Sequence, residues 1–318
     1  MNSQTLSCVV PVYNESACVQ LLYEKLAKVL ETLGMQLEFI FVDDHSNDAT
    51  LEILKKIRQA DARAKIISFS RNFGHQVAVV AGLHHASGDC VVVMDGDLQD
   101  PPEIIHQMVE KWRQGYEVVY GIRRQRQDSL CKALACKIFY RVLERIAFSK
   151  MPLDAGDFCL LSRRVVESIK QFHEENPYVR GLRSWVGFKQ TGVVYDRPAR
   201  AAGKSKYGFA GLFQLALSGI FSFSILPLRA ATALGLVVSL VSMCYALFLF
   251  AAQILIFLGR WPQPYYIPGW ATLACGLFFL MGMQFIFLGI LGEYVGRTYM
   301  QSKERPLYVI EEKVGFDE

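Results

Sequence analysis

Two aspartates, Asp95 and Asp97, flank Gly96 directly after an apolar run at 90–94. If that run is a strand, both carboxylates sit at its open end, where the chain leaves extended geometry and the pair can face one hard cation. Gly96 lets the backbone approach a ligand closely. A Mg²⁺ or Mn²⁺ held there would bridge two phosphates of a bound ligand and neutralise charge growing on a departing diphosphate. Asp-Gly-Asp is equally common in solvated turns, so the triplet alone decides little. Its continuation, Leu98-Gln99-Asp100-Pro101-Pro102-Glu103, and its place after a fourth strand-like run favour a site.

The elements that must position these residues are legible as hydrophobic periodicity. Short β-branched runs at 6–12, 37–42, 65–69, 90–94 and 117–120 read as strands. Between them, helical spacing is carried by Ala17, Leu21, Leu22, Lys25 and Val29, by Asp48, Leu51 and Leu54, and by residues 76–86. The alternation predicts an α/β fold, a mainly parallel, Rossmann-like sheet covered by helices. Ligands of such sheets lie outside the carboxyl ends of the strands. Polar residues stand there: Asn14 and Glu15 after the first run, Asp43 and Asp44 after the second, Arg71 and Asn72 after the third. Neither a GxGxxG nor a GxxxxGK[ST] pattern follows the first strand, so phosphate is expected to be held through a metal.

The rest of the chain has a different solvent. Residues 207–292 carry only two charges, Arg229 and Arg260, and the stretches 230–259 and 261–292 carry none. Each exceeds the roughly 20 residues needed to cross a bilayer, so two transmembrane helices are expected near 234–258 and 269–291. Trp261, Tyr265, Tyr266 and Trp270 would form an interfacial aromatic cluster between them. Basic residues gather at Arg123, Arg124, Arg126, Lys132, Lys137, Arg141 and Arg145, and again at Arg197, Arg200, Lys204 and Lys206. That pattern suits phosphate groups and anionic lipid; nucleic acid fits poorly, because the second cluster runs straight into the apolar stretch. Eight scattered cysteines without a CxxC pair argue against zinc and for a reducing compartment. The N-terminus lacks the basic region of a signal peptide. The expected organisation is a catalytic domain at 1–206, interfacial helices at 207–229, two spans at 230–292 and a C-terminal tail at 293–318. Basic residues flank both ends of the span pair, which puts the catalytic domain and the tail in the cytoplasm, at the inner membrane.

Five segments in order carry a resemblance: Val10-Pro11-Val12-Tyr13-Asn14-Glu15, Val42-Asp43-Asp44-His45-Ser46, Ser70-Arg71-Asn72-Phe73-Gly74-His75, Met94 through Glu103, and Gly156-Asp157-Phe158. Together they resemble the family 2 polyprenyl-phosphate glycosyltransferases, nearest to the bactoprenol (undecaprenyl-phosphate) glucosyltransferase branch, with dolichyl-phosphate mannosyltransferases more distant. The resemblance implies a GT-A type fold that moves a sugar, UDP-glucose being the favoured donor, onto a polyprenyl phosphate, with inversion expected. It implies that Pro11, Tyr13 and Glu15 line the nucleotide pocket and that Asp44, with Val42, contacts the base and ribose. Asp95 and Asp97, around Gly96, would hold Mg²⁺ or Mn²⁺, and Gln99 would lie beside the sugar or diphosphate. Arg123, Arg200 and Lys206 would hold donor or lipid phosphates, and a homo-oligomer is expected.

Asp157 matches the family's proposed base. A phosphate monoester has a second pKa near ~6 and is largely ionised at neutral pH, so an orienting role competes with that of a base. The sequence also departs from the branch: Cys159 stands where arginine is common, His45 replaces a glycine, and Gly96 replaces an alanine or valine. Rival readings are another donor or acceptor on the same fold and a non-catalytic sugar-binding membrane protein. Intact Asp95, Asp97, Gln99 and Asp157 count against the second.

Overall fold

The computed structural model describes residues 4–124, 155–172, 174, 177–196, 226–259 and 269–316. Two compact units divide the chain, one formed by Met1–Ala216 with Arg305–Glu318 and the other by Leu217–Glu304.

In the first unit, β1 (Thr5–Val12) is buried on both faces from Leu6 onward, as expected for a central parallel strand with helices on either side. Helix α1 (Val19–Leu30) follows and buries Val19, Leu22, Leu26 and Leu30, one stripe at three- and four-residue spacing. Leu21, which the sequence pattern placed on that stripe, is 45% exposed. Next come β2 (Gln36–Asp43), α2 (Thr50–Ala60), β3 (Ala64–Phe69) and α3 (His75–His85). Residues 77 to 83 of α3 are all buried. Burying a Val or Leu side chain contributes about 1.5–3 kcal/mol, so this helix is held by packing over the sheet centre. The chain continues through β4 (Cys90–Val93), α4 (Ile104–Arg113) and β5 (Val118–Arg123).

After the fifth strand the structure adds what periodicity does not show. Gly156-Asp157-Phe158 lies near the start of a strand, β6 (Ala155–Ser162). Ser162 then caps α5 (Arg163–Lys170) through its hydroxyl, which accepts the Val165 N–H. Helix α6 (Val179–Trp185) and β7 (Gln190–Tyr195) follow.

The second unit contains α7 (Leu226–Phe257) and α8 (Gly269–Gln301), both apolar over windows long enough to cross a membrane. Helix α8 runs about three turns beyond the boundary expected near 291. The segment expected as a tail returns to the first unit, where β8 (Ile310–Val314) pairs antiparallel with β3. Tyr308 stacks on Phe69 at 5.2 Å beside it.

The sheet order is β7-β5-β6-β4-β1-β2-β3-β8. Strands β3, β2, β1 and β4 are parallel, and β6 lies antiparallel between β4 and β5. One apolar layer, with α1, α2 and α4, covers one face; the other, with α3, α5 and α6, covers the opposite face. The chain steps from β1 outward to β3 and then back across β1 to β4. That reversal makes the carboxyl ends of β1 and β4 a topological switch point, the crevice where open α/β sheets take ligands.

Candidate active site

At the switch point three non-glycine residues adopt positive φ: Asn14 at 56°, His45 at 62° and Leu98 at 60°, following β1, β2 and β4. Such conformations cost free energy and persist where surrounding contacts over-determine them. Here the contacts are explicit. Asn14 N–H donates to Ser46 Oγ at 2.9 Å, and Asn47 N–H donates to Asn14 Oδ1 at 2.8 Å. Glu15 N–H donates to Thr50 Oγ1, and its carbonyl accepts the Cys18 and Val19 amides that open α1. These bonds lock the β1 and β2 loops together, with Tyr13 and Glu15 half-buried on the rim and Pro11 buried within β1.

Val42 and Asp44 are placed deeper than a surface contact. Val42 is fully buried, and both Asp44 oxygens accept backbone amides, from Phe73 at 2.7 Å and Gly74 at 2.9 Å. Burial raises the Asp44 carboxyl above its ordinary pKa although those two amides oppose the shift. Asp44 therefore ties the end of β2 to the start of α3, and sets the first residue of that helix, His75.

His75 joins the same cluster, a residue that the sequence reading quoted within a motif but gave no role. Its Nε2 lies 3.5 Å from Asp95 Oδ1 and 3.8 Å from Asp157 Oδ2. The topology explains the meeting. Val93 of β4 pairs with Cys159 of antiparallel β6, and continuing that register by two residues sets Asp157 opposite Asp95. Asp95 at the end of one strand and Asp157 near the start of the next thus share one edge of the sheet.

Burial pushes the Asp95 carboxyl up to about 6; His75 opposes this, while Asp100, Asp157 and Asp97 reinforce it. Carboxylates so crowded are short of positive charge. Gln99 N–H donates to Asp97 Oδ1 at 3.1 Å, shaping the turn. At Gly96 a Cβ would stand 3.1 Å from both Pro11 O and Val12 Cγ1, so the close approach of β1 favours glycine where the branch carries a larger residue. Two carboxylates and a charge deficit fit a divalent cation that takes its remaining ligands from a diphosphate and water, as Mg²⁺ commonly does. Among the described residues no group of three or more His, Cys, Asp or Glu could hold a metal without such help.

Asp157 is 8% exposed and gripped by Arg180, Nε to Oδ1 at 2.7 Å and Nη2 to Oδ2 at 2.8 Å. Burial alone would raise its pKa. The Arg180 guanidinium outweighs burial and, with His75 and Arg183, holds the carboxyl well below the usual carboxylate range. Arg123 donates from Nε to Tyr195 Oη at 3.3 Å, and that hydroxyl donates to Asp100 Oδ1 at 2.6 Å. Arg180, Arg183 and Tyr195 are residues of this cluster that sequence pattern did not single out, and Asp100 was quoted within a motif but given no role. Arg200, Lys206 and residues 207–225 lie outside the described residues.

A mainly parallel sheet with paired aspartates at its switch point and a further carboxylate entering from an antiparallel strand is the arrangement of a GT-A type glycosyltransferase, an enzyme that uses a nucleotide sugar. Residues 7–170 match the model of glycosyl transferase family 2, and the chain belongs to that family. It is 43% identical to an uncharacterized glycosyltransferase of Synechocystis sp., over 98% of this chain and 96% of that protein. It is 40% identical to the bactoprenol glucosyl transferase of Shigella phage SfV, over 96% of this chain and 97% of that protein. Among solved structures, glucosyl-3-phosphoglycerate synthase from Mycobacterium tuberculosis, crystallised with Mn²⁺ and UDP-glucose, aligns over 69% of this chain and 77% of that one, with 19% identity and a TM-score of 0.47.

Proposed function

We propose that the enzyme transfers glucose from UDP-glucose to a polyprenyl phosphate at the cytoplasmic face of a membrane. The observation that carries this reading is the full-length likeness to proteins named bactoprenol glucosyl transferase, together with the two apolar helices that follow the catalytic sheet. Pro11, Tyr13, Glu15, Val42 and Asp44 form or back the donor's nucleoside pocket, and Gln99 lies by its diphosphate. Asp95 and Asp97 would hold Mg²⁺ or Mn²⁺, which supplies charge neutralisation to the departing nucleoside diphosphate. Strand-end placement sets both carboxylates at the switch point of the sheet. In the reaction a bond forms between the acceptor's phosphate oxygen and the anomeric carbon, while the bond from that carbon to the diphosphate oxygen breaks, with inversion. The acceptor phosphate is largely ionised near neutral pH, so no strong base is required. Arg123, Arg200 and Lys206 are assigned to donor and lipid phosphates.

The return of the chain to β8 supports an even number of membrane crossings. A chain that leaves the sheet after β7 and rejoins it beside β3 must end on the side where it began. Two spans satisfy that. Incubating the purified enzyme with undecaprenyl phosphate and, separately, UDP-glucose, UDP-N-acetylglucosamine and GDP-mannose tests the donor. Preferential lipid labelling from UDP-glucose is expected; preferential use of either other donor would refute the glucose assignment.

A further inference from the structure

The turn that follows β4 is held from an edge of the sheet. Leu98 has a φ of 60°, and the Gln99 N–H donates to Asp97 Oδ1, so residues 97–100 fold back tightly before α4 begins. Asp100, which closes that turn, is fully buried. Its Oδ1 accepts the Tyr195 hydroxyl at 2.6 Å, and among the described residues its Oδ2 has no hydrogen-bond partner. Tyr195 ends β7, an edge strand separated from β4 by β5 and β6. Its ring stands edge-on to Phe158 at 5.6 Å and against Gly121, where a Cβ would come within 2.6 Å of Tyr195 Cε1. The glycine thus opens the path by which the phenol reaches Asp100.

The hydroxyl joins two charges. It accepts the Arg123 Nε–H at 3.3 Å and donates to Asp100, so cation, hydroxyl and anion form one chain in which each bond polarises the next. Burial, reinforced by Asp100, pushes the Tyr195 phenol up, so the donor keeps its proton. Burial works against the Arg123 charge, yet Tyr195, Asp100 and Asp95 hold its pKa above the ordinary value. With Nε fixed, the guanidinium reaches toward Gly156, where a Cβ would stand 3.0 Å from Nη2. Burying a carboxylate costs several kcal/mol, and an apolar residue of similar volume would pack α4 to the sheet as well or better. A charge kept at that cost, beside a backbone strained at Leu98, points to a functional constraint.

We propose that Tyr195 is the positioning residue of the metal turn. Its hydroxyl anchors Asp100, which holds residues 97–100 in place and so presents Asp97 and Gln99 to the cation and the diphosphate before either binds. The same hydroxyl sets the direction of Arg123. A turn already in place loses less freedom when the cation arrives, which tightens binding. The proposal rests on the reading of Asp95 and Asp97 as cation ligands.

The test titrates the full chain in detergent micelles with Mn²⁺ in the presence of UDP, following free Mn²⁺ by its electron paramagnetic resonance. Thermal unfolding without metal is measured alongside. Tyr195→Phe and Asp100→Leu should each raise the Mn²⁺ Kd about tenfold, and the double variant should be no worse than either single one, because the two residues act as a unit. Asp100→Asn keeps an oxygen for the hydroxyl and should stay within about threefold of the wild type, which keeps the test decisive should Asp100→Leu not fold. Tyr23→Phe removes another tyrosine–aspartate bond, from α1 to Asp61, and should lower thermal stability while leaving the Mn²⁺ Kd within about twofold. An unchanged Mn²⁺ Kd in Tyr195→Phe, with only its unfolding temperature lowered, would make the bond merely structural and overturn the proposal. Additive losses in the double variant would overturn it too, as would an Asp100→Asn loss of tenfold or more, which would assign the effect to charge alone. So would a loss in Tyr23→Phe as large as that in Tyr195→Phe, a sign of general loosening. Mn²⁺ binding by Asp97→Ala as tight as by the wild type would refute the cation-ligand reading itself, and the proposal with it.

Discussion

Arg180 and Asp157 form a two-pronged ion pair, Nε to Oδ1 at 2.7 Å and Nη2 to Oδ2 at 2.8 Å, at the head of β6, the strand that lies antiparallel beside β4. Both carboxylate oxygens are engaged, and the pKa lies below the usual range. A depressed carboxylate stabilises the fold fully above its unfolded pKa, near ~3.9, and that contribution is lost only as pH falls through the folded value. Asp157 thus stays ionised across the working range of the enzyme. Asp157→Asn should lower transfer by about 10²-fold, and the ratio of wild-type to mutant rate should be flat between pH 6 and pH 9. A base would become dispensable as the acceptor ionises above a pKa near ~6, so a ratio that shrinks with rising pH would favour the base.

Asp95 and Asp97 should set the metal requirement. Excess chelator is expected to abolish transfer, with Mn²⁺ or Mg²⁺ restoring it. Asp97→Ala should lose activity by about 10²-fold or more, a loss of charge stabilisation in the transition state. A metal at 100 times its Kd should also raise unfolding stability by about 2.7 kcal/mol in the wild type, and by much less in Asp97→Ala. Full turnover in chelator would remove the metal from the account.

The contribution of the basic residues is separable by place. Arg123 contacts Tyr195 within the site, whereas Arg164 is exposed and pairs with Glu117 on the outside of α5. Removing charge at Arg123, Arg200 or Lys206 should weaken substrate binding, and Arg164→Gln should leave it within about twofold. Equal losses at all four would indicate a general electrostatic anchor for anionic lipid.

Much of this site was readable because its carboxylates follow strands that advertise themselves. The first five strand-like runs lie within three residues of β1 to β5 at either end, since two-sided burial forces continuous apolar sequence. The later strands carry weaker local signals. In β6, Gly156 and Asp157 are turn-forming types, and only pairing with β4 and β5 makes them extended. In β8, Ile310-Glu311-Glu312-Lys313-Val314 is mostly charged because it is an edge strand, and its partner lies some 240 residues earlier in the chain. The guanidiniums were illegible for the same reason. Arg180 and Arg183 look like charges on a short helix, and what they hold is set by contacts 23 and 27 residues away.

The returning strand gives its own prediction. Tyr308 stacks on Phe69, and Glu312 pairs with Lys55, so removal of residues 305–318 would bare the β3 edge and part of the core. The truncated enzyme should lose thermal stability and aggregate, as unprotected edges do. A reporter joined after Glu318 should be found on the cytoplasmic side with the catalytic domain; its appearance on the side opposite that domain would require an odd number of crossings and contradict the pairing of β8 with β3.

The central claim is transfer of one sugar to a lipid phosphate, and the mass of the lipid product tests it most directly. Purified enzyme given UDP-glucose, Mn²⁺ and undecaprenyl phosphate should yield a lipid whose intact mass is that of the acceptor plus one hexose residue, joined through a single phosphate. A product carrying a diphosphate, which would mean transfer of a sugar phosphate, or hexose appearing only on hydroxyl acceptors, would contradict the account.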